Sequence, residues 1–195
     1  MGAQKKIQKR KRAPVITPLI RAARIKRRLG QMARDICRVV PPRECPLAVI
    51  VLQGAFIFGA DLLRRFPHDY PLDVAFLRCQ SYGSQTYSSG HVLLMQDLEP
   101  SIDLRGRTVL LIDDILDSGL TTRFLINHLT QRGAARVRLC VLLHRKVGDR
   151  GATDDRPKPD FAGFPVGPQF IVGYGLDYDG KYRHLPDLVA LDGVP

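Results

Sequence analysis

The fold of this chain is decided near its middle, by Val109-Leu110-Leu111-Ile112-Asp113-Asp114-Ile115-Leu116-Asp117-Ser118-Gly119-Leu120-Thr121-Thr122. Four aliphatic residues form a β run, two adjacent carboxylates follow it, and a short loop with a glycine and hydroxyl side chains precedes a helical pattern. In an open parallel sheet, ligands bind outside the carboxyl ends of the strands, and the backbone N–H groups at a helix N-terminus attract phosphate. We therefore expect the carboxylates and a phosphate-binding loop to face the same small volume.

A ribose 5-phosphate carries both groups that this stretch would bind. Two adjacent hydroxyls can donate to Asp113 and Asp114, while the phosphate lies on the amides of residues 118–122. A nucleoside triphosphate is the alternative, because an aliphatic strand that ends in an acid also resembles a Walker B segment. The glycine spacing of a phosphate loop does occur upstream, in Gly54-Ala55-Phe56-Ile57-Phe58-Gly59. However, Ala60-Asp61 occupies the positions where Lys and Ser or Thr are required, which argues against a P-loop NTPase.

The segment from Asp113 to Thr121 resembles the phosphoribosyl pyrophosphate signature of type I phosphoribosyltransferases: an acid pair, then after two residues Asp, Ser or Thr, Gly, any residue and Thr. Two later segments resemble the closing part of hypoxanthine-guanine phosphoribosyltransferases. They are Phe170-Ile171-Val172-Gly173-Tyr174-Gly175-Leu176-Asp177-Tyr178 and Tyr182-Arg183-His184-Leu185-Pro186. The resemblance covers nearly the whole chain. It implies an α/β fold with a mostly parallel twisted sheet, helices on both faces and a small hood from the N- and C-terminal segments.

Charge is distributed unevenly along the chain. The whole sequence has 30 Lys and Arg against 19 Asp and Glu, a net charge of +11. Residues 1–34 contain twelve of the basic residues and no acid, which leaves eighteen basic and nineteen acidic residues in the remainder. We expect residues 1–13, which have few apolar anchors, to form a disordered basic tail. Residues 14–195 are expected to form one phosphoribosyltransferase domain.

An amphipathic helix is expected after the tail. Apolar residues recur at helical intervals, and the helix should run from about Thr17 to Val39 and stop before Pro41-Pro42. The recurring residues are Ile25, Leu29, Met32 and Ile36. The other face of this helix is basic. It is explained either as a solvated face beside the tail or as a patch that contacts RNA, an acidic surface or a partner chain.

The remaining pattern predicts alternating strands and helices, as in βαβ units. The expected strands are Leu47–Leu52, Leu72–Cys79, His91–Met95, Arg136–Leu143 and, as the last in the chain, Phe170–Tyr174. The expected helices are Ala55–Phe66 and Leu120–Arg132, the second closed by Gly133. Two polar segments are expected to be loops: residues 81–90, a candidate mobile flap, and residues 149–159.

The cysteines and the apolar runs indicate a cytoplasmic protein. Cys37, Cys45, Cys79 and Cys140 form no Cys-x-x-Cys pair and lie in or beside apolar runs, so we expect buried, reduced thiols and neither a zinc site nor disulfides. No apolar stretch reaches the length of about 18 residues that spans a membrane. The basic tail is not followed by the pattern of a secretory signal, and it lacks the Ser content of organelle transit peptides.

The resemblance implies roles for the central stretch. Asp113 and Asp114 match the ribose-binding acid pair, which is associated with magnesium, and Asp117 matches the proposed general base that faces the purine N7. The loop that would bind the 5-phosphate consists of Ser118, Gly119, Leu120, Thr121 and Thr122. From the residues alone, Asp117 is equally well explained as the N-cap of the following helix, a role that is compatible with catalysis.

Further matched positions concern pyrophosphate and the closing flap. Gln53-Gly54 matches the loop that binds pyrophosphate, which often contains a cis peptide bond, and Arg183 matches the other pyrophosphate contact. Many family members have Lys or Arg at the position of Gln53, so one charge is missing here. Ser81-Tyr82 matches a Ser-Tyr pair on the flap that excludes water from the site. Without the resemblance, these residues would be explained as a strand-to-helix turn, a surface arginine and a polar loop.

The resemblance also implies a purine site. Phe170 matches the aromatic that stacks on the purine, Ile171 the residue whose backbone recognises the six-substituent, and Asp177 an acid that ligates a second magnesium ion. From the residues alone, the first two also fit a core strand. Direct alignment places Arg145 at the family lysine that donates to the 6-oxo group, and a one-residue shift offers Lys146. Neither cation favours a 6-amino group, so adenine is disfavoured, while hypoxanthine, guanine and xanthine remain open.

The implied activity is a magnesium-dependent purine salvage reaction. Ribose 5-phosphate would pass from phosphoribosyl pyrophosphate to a purine ring nitrogen with release of pyrophosphate, and family members are commonly dimers or tetramers. An RNA-binding regulator that retains the fold as a nucleotide sensor is the alternative, with the basic arm as its RNA contact. The intact acids of the central stretch and the purine-type segment from Phe170 to Pro186 argue against this alternative.

Overall fold

The computed structural model describes residues 15–81, 92–146 and 155–193, and the following account concerns these residues. The strands are β1 (Val15–Ile20), β2 (Leu47–Leu52), β3 (Asp73–Ser81), β4 (Val92–Gln96), β5 (Thr108–Leu116), β6 (Arg136–Arg145), β7 (Phe161–Val166), β8 (Ile171–Val172) and β9 (Leu188–Asp192). The α-helices are α1 (Ala22–Val39), α2 (Phe56–Leu63) and α3 (Leu120–Gln131).

The described strands form two sheets. The main sheet has the order β4-β3-β2-β5-β6-β7 and is parallel except for β4, which pairs antiparallel with β3. The second sheet has the order β1-β9-β8 and is antiparallel, so the two ends of the domain meet in it as the hood. The predicted α/β fold with a terminal hood is therefore confirmed.

Helices cover both faces of the main sheet because its central strands are apolar on both sides. On one face, α1 and α2 pack over Ala48 and Ile50 of β2. On the other face, α3 packs through Leu125 and Leu129 over the opposite side of the same sheet. Burying one such Leu or Ile side chain stabilises the fold by roughly 1.5–3 kcal/mol. The carboxyl ends of the parallel strands consequently share one edge.

The hood is fastened to the rest of the domain by polar contacts. Asp187, just before β9, accepts a hydrogen bond from the backbone N–H of Ala22 at 2.7 Å and pairs with Arg21 at 3.0 Å. It acts as the cap of α1, whose own N-cap residue makes no side-chain capping bond. Tyr174 donates its hydroxyl hydrogen bond to Asp61 on α2. These contacts place the segment after β8 over the carboxyl edge of the main sheet.

Two arginines of the basic face of α1 make contacts within the molecule, with strand β7. Arg28 donates to the backbone carbonyl of Ala162 on β7 at 2.6 Å, and Arg24 lies over the ring of Phe164. Three other cations of α1, Lys26, Arg27 and Arg34, are exposed and line a groove of about 540 Å³ together with Arg65, which follows α2.

The expected helix from Thr17 is wrong at its start. Residues 15–20 form β1, and α1 begins at Ala22. The cause is a partner far away in the chain, since β1 pairs with β9 from Val15–Asp192 onward. Pro18 is tolerated because β1 is an edge strand of the hood.

The expectation that the last strand is Phe170–Tyr174 is also wrong, because β9 follows it. The strand β7, which precedes it, was not predicted. The sequence did not indicate β7 because the strand contains Gly163 and Pro165. Proline is tolerated there because β7 is an edge strand. A Cβ on Gly163 would lie 2.3 Å from the carbonyl oxygen of Leu142, so close strand packing requires this glycine.

Several predictions fall outside the described residues: the basic tail at 1–13, most of the flap including Tyr82, and part of the loop at 149–159. All four cysteines are free, and Cys140 is buried as expected. Cys45 is exposed, contrary to the expectation, because it follows a single 3-10 turn at the surface before β2 begins. In the described part of the chain, no helix is both long and apolar enough to cross a membrane.

Candidate active site

The acid pair lies where β5 loses a neighbour. Pairing between β2 and β5 ends at Ile50–Ile112, whereas β5 continues along β6 as far as Leu116–His144. Asp113 and Asp114 therefore belong to β5 itself and stand beside the gap that β2 leaves. The side chains are fixed from their own backbone, since the N–H of Asp114 donates to Asp113 Oδ1 at 3.0 Å and that of Ile115 donates to Asp114 Oδ1 at 2.8 Å.

Burial gives the acid pair unusual electrostatics. Desolvation raises the pKa of Asp113 well above its ordinary value of 3.8, and the neighbouring Asp114 charge raises it further. Burial also raises the pKa of Asp114, against the lowering effects of the Ile115 N–H and the positive charge of Arg183. The negative field reaches β3, where burial and both acids raise the pKa of the Cys79 thiol to about 12. The pair is thus suited to hydroxyl donors or a cation.

The turn after β2 touches the acid pair directly. The peptide bond between Leu52 and Gln53 is cis, as the resemblance implies for this loop. A Cβ on Gly54 would lie 1.6 Å from Asp114 Oδ2, so only glycine fits against this carboxylate. A Cβ on Gly175 of the hood would lie 2.2 Å from the carbonyl oxygen of Gly54. The ends of β2 and β5 and the hood therefore converge on one point.

Arg183 and Asp177 lie in the hood, at the same convergence. The guanidinium of Arg183 donates to the carbonyl of Gly175 at 2.6 Å and pairs with Asp177 Oδ1 at 2.7 Å. The second carboxylate oxygen of Asp177 accepts from the N–H of Gly180 at 2.7 Å. Two residues that were predicted to bind different ligand groups thus hold each other in position.

The residues considered for metal binding do not form a closed cage. In the described ranges, no three His, Cys, Asp or Glu side chains come together as a metal-binding group. Magnesium is usually held by one or two carboxylates together with substrate phosphates and water, rather than by an all-protein cage. Buried Asp113 and half-buried Asp114 supply hard oxygen donors of that kind. The donor set therefore fits a magnesium ion that arrives with a phosphorylated ligand.

The loop after β5 presents backbone donors at the start of α3. Gly119 is the N-cap of the helix, with φ of 81°, and no side chain caps it. The alternative of Asp117 as the N-cap is therefore wrong. Leu120 has an exposed side chain, so its contribution to the loop is its backbone N–H, which donates a long hydrogen bond of 3.4 Å to Ser118 Oγ. Uncapped N–H groups at a helix start are suited to bind phosphate.

Asp117 is paired with one of the two candidate purine-recognising cations. Its Oδ1 lies 3.0 Å from Nε of Arg145, although Asp117 itself is 61% exposed. Arg145 also donates to the carbonyls of Gly167 and Gln169. The side chain of Lys146 is exposed, and its backbone N–H continues the pairing with β7. Of the two cations, Arg145 is the one that adjoins Asp117.

The predicted purine-stacking residue is at the entrance to β8. Phe170 is 38% exposed, and its ring meets Tyr178 edge to face with centroids 5.4 Å apart. Ile171 is buried in β8, where it pairs with Ala190. Ser81 ends β3, while its partner on the predicted flap, Tyr82, is not among the described residues.

Two residues that were not predicted adjoin the site. Arg156 donates to the backbone carbonyl of Asp117 at 2.7 Å and to that of Arg145 at 3.1 Å. His144 precedes Arg145, and burial, together with the charge of Arg156, lowers its pKa. In the described part of the chain, its Nδ1 is buried and lacks a hydrogen-bond partner. A single arginine in a polar loop and a histidine in an apolar strand carry no recognisable sequence signal.

Comparison with known proteins identifies the class to which this fold and site belong. Residues 21–179 match the model of the phosphoribosyl transferase domain. A hypoxanthine-guanine phosphoribosyltransferase of Mycobacterium avium is 39% identical over 89% of this chain and 84% of its own length. The enzyme of the same name from Bacillus subtilis strain 168 is 43% identical over 75% of this chain and 77% of its own length.

A solved structure agrees. The crystal structure of a hypoxanthine-guanine phosphoribosyltransferase from Bacillus anthracis superposes with a TM-score of 0.77 at 33% identity, covering 89% of this chain and 96% of that one. The chain therefore belongs to the hypoxanthine-guanine phosphoribosyltransferase family. The family to which the sequence was predicted to belong is thereby confirmed.

Proposed function

We propose that this protein transfers the phosphoribosyl group of phosphoribosyl pyrophosphate to hypoxanthine or guanine and releases IMP or GMP and pyrophosphate. The single observation that carries the proposal is the acid pair of buried Asp113 and half-buried Asp114, which touches Gly54 and precedes the start of α3 at Gly119. Family membership supports the same activity. The RNA-binding regulator is not favoured, because the matched relatives are named as enzymes.

Each part of phosphoribosyl pyrophosphate has a proposed place in the site. The ribose hydroxyls donate to Asp113 and Asp114, and the 5-phosphate accepts from the N–H groups and hydroxyls of residues 118–122. The pyrophosphate lies between Gln53-Gly54 and Arg183. Gln53 is exposed and uncharged, so the positive charge on this side comes from Arg183, whose field already reaches Asp114.

The proposed reaction requires charge stabilisation and a base. Cleavage at the anomeric carbon builds positive character on the ribose, which the adjacent carboxylates stabilise, while Arg183 stabilises the negative leaving group. Asp117 accepts the proton from the purine as N9 bonds to the ribose. A magnesium ion at Asp113 and Asp114, with a second at Asp177, would neutralise pyrophosphate charge.

The purine is proposed to lie between Phe170 and the loop after β5. Phe170 stacks on the ring, and the backbone of Ile171 lies at the six-substituent. Arg145 donates to a 6-oxo group, while a 6-amino group would place donor against donor. Lys146 is the less suitable candidate, because it is exposed, whereas Arg145 pairs with Asp117. Xanthine also carries the 6-oxo group and is included in the test.

The first test measures initial rates with magnesium and phosphoribosyl pyrophosphate, offering hypoxanthine, guanine, xanthine, adenine and uracil separately. We expect turnover of 6-oxopurines only. Asp117→Asn should lower kcat by roughly 10²–10⁴-fold, the usual contribution of a general base, with little change in the binding of phosphoribosyl pyrophosphate. Turnover of no base, or an unchanged rate in Asp117→Asn, would contradict the proposal.

We also propose a cytoplasmic homo-oligomer, a dimer or tetramer. Large apolar side chains are exposed on the neighbouring strands β3 and β4, and burying them against a second copy would remove them from water. They are Val74, Phe76, Leu93 and Met95. The free thiols support a reducing compartment.

A further inference from the structure

Arg156 lies where the ladder between two central strands stops. Backbone pairing of β5 with β6 ends at Leu116–His144, so Asp117 and Arg145 are the first residues beyond it. The guanidinium of Arg156 donates to both of their carbonyl oxygens, at 2.7 Å and 3.1 Å. It thereby continues the connection between the strands after their own hydrogen bonds end.

The side chain of Arg156 is itself held in place. A Cβ on Gly119 would lie 3.0 Å from Cγ and 3.1 Å from Cβ of Arg156, so the aliphatic stem packs on the start of α3. The preceding residue, Asp155, is fastened to the same helix, because Arg123 donates to its carbonyl at 2.8 Å and meets its carboxylate at 3.1 Å. Segment 155–157 thus packs against the phosphate loop and the first turn of α3, which fixes the stem of Arg156.

A guanidinium suits this position because it is a rigid planar fork. Its two terminal nitrogens can donate in fixed directions, whereas a lysine ammonium is a single point on a flexible stem. The carbonyls that it joins belong to residues whose side chains also pair, Asp117 Oδ1 with Arg145 Nε at 3.0 Å. Backbone and side-chain contacts therefore restrict the same two residues.

We propose that Arg156 is a positioning residue for phosphoribosyl transfer: it holds Asp117 and Arg145 in one geometry, so that the base and the 6-oxo donor meet the same purine ring. This inference rests on the proposed function. N7 and O6 are neighbours on one edge of the purine, so a shift of either group disturbs both contacts. A misplacement of about 1 Å can reduce a rate by about 10²-fold.

The test compares two variants of Arg156 with a matched control. Arg156→Met retains most of the stem that packs on Gly119 and removes the fork, while Arg156→Lys keeps the charge without the fork. The control is Arg132→Met, because Arg132 also donates to backbone carbonyls, those of Leu98 and Glu99, but at the far end of α3.

We expect kcat for hypoxanthine to fall roughly 10- to 100-fold in Arg156→Met and about 10-fold or more in Arg156→Lys. The KM for phosphoribosyl pyrophosphate should change less than kcat in Arg156→Met, since this variant keeps the stem that packs on Gly119 and loses the hydrogen bonds to the carbonyls of Asp117 and Arg145. The preference for hypoxanthine over adenine should also fall, because Arg145 is loosened. Arg132→Met should keep kcat within about twofold of wild type, although its thermal stability falls about as much as that of Arg156→Met.

Three results would overturn the inference: an unchanged kcat in Arg156→Met, a fully active Arg156→Lys, or an equal loss of kcat in Arg132→Met. Failure of the proposed function is distinguishable, because the wild type would then turn over no purine. In that case, amide hydrogen exchange of residues 117–122 decides. Faster exchange in Arg156→Met than in wild type and Arg132→Met supports the positioning role, and unchanged exchange refutes it.

Discussion

At the scale of single residues, the acid pair places ionisable groups in a position where their charge lowers the stability of the fold. Asp113 is only 6% exposed, and burial beside Asp114 disfavours its charged form. The family motif predicts both acids from sequence. The depth of their burial follows from Gly54 and the hood, which the motif does not contain.

The raised pKa of Asp113 leads to a pH-dependent prediction. In the unfolded chain this carboxyl ionises near 3.8, whereas in the folded chain it ionises only at higher pH. Its contribution therefore favours the folded state most at pH below 3.8 and is lost as the pH rises through the folded pKa. Asp113→Asn cannot ionise, so we expect a higher Tm than wild type at pH 7 and a shrinking difference toward pH 4.

Thermal unfolding followed by circular dichroism between pH 4 and pH 8 checks this prediction. Asp103→Asn is the control of opposite sign, because hydrogen bonds from Arg105 hold the pKa of Asp103 down to about 2. That variant should show no stabilisation at pH 7. A Tm difference for Asp113→Asn that is constant across the pH range would rule out burial of the charge as its cause. Asp113→Asn should also lose affinity for phosphoribosyl pyrophosphate, whereas Asp103→Asn should not.

At the scale of elements, the site depends on how closely the hood approaches the turn after β2. Gly175 has φ of 104°, and its α-carbon faces the carbonyl of Gly54. Secondary structure around this point is short: β8 has two residues and, among the described strands, pairs with β9 alone. Local propensity could not predict three other strands either. β1 and β9 pair with each other from opposite ends of the chain. β7 contains a proline, which is tolerated because the strand lies at the sheet edge.

Gly175→Ala tests this approach, with Gly180→Ala as its matched control. Both glycines have positive φ, but a Cβ on Gly180 has no neighbour within 4 Å, while a Cβ on Gly175 would lie 2.2 Å from Gly54 O. Backbone strain alone should cost about 1–2 kcal/mol in either variant. We expect Gly175→Ala to be less stable than the control and to raise the KM for phosphoribosyl pyrophosphate at least several-fold. Equal behaviour of the two variants would contradict close docking of the hood.

At the scale of the whole molecule, the exposed apolar residues of β3 and β4 stand out against a largely charged surface. Phe76 is 46% exposed and Met95 is 50% exposed. We expect Phe76→Glu to shift the protein toward monomer in light scattering coupled to size-exclusion chromatography, because a carboxylate would be buried in the proposed subunit contact. Val39→Glu, at a 50% exposed apolar residue at the end of α1, should leave the assembly unchanged. A wild-type monomer, or equal dissociation in both variants, would reject this surface.

The sequence by itself determined the chemistry of this protein and the order of its central elements. An aliphatic strand, the pair Asp113 and Asp114, and the loop through Thr122 are contiguous, so one segment contains the groups that we propose to bind ribose and phosphate. The buried runs of β2 and β6 and the glycine that closes α3 are equally local signals. They could be predicted because their physics acts between near neighbours in the chain.

Only the tertiary structure decided which distant residues complete the site. It placed Arg145 rather than Lys146 beside Asp117, and it brought Gly175 onto Gly54 and Arg156 onto two strand ends. It also joined β1 to β9, which turned the two ends of the domain into one hood. The physical reason is that these contacts join residues from separate segments, and their distances are set by packing of the whole sheet rather than by any local pattern.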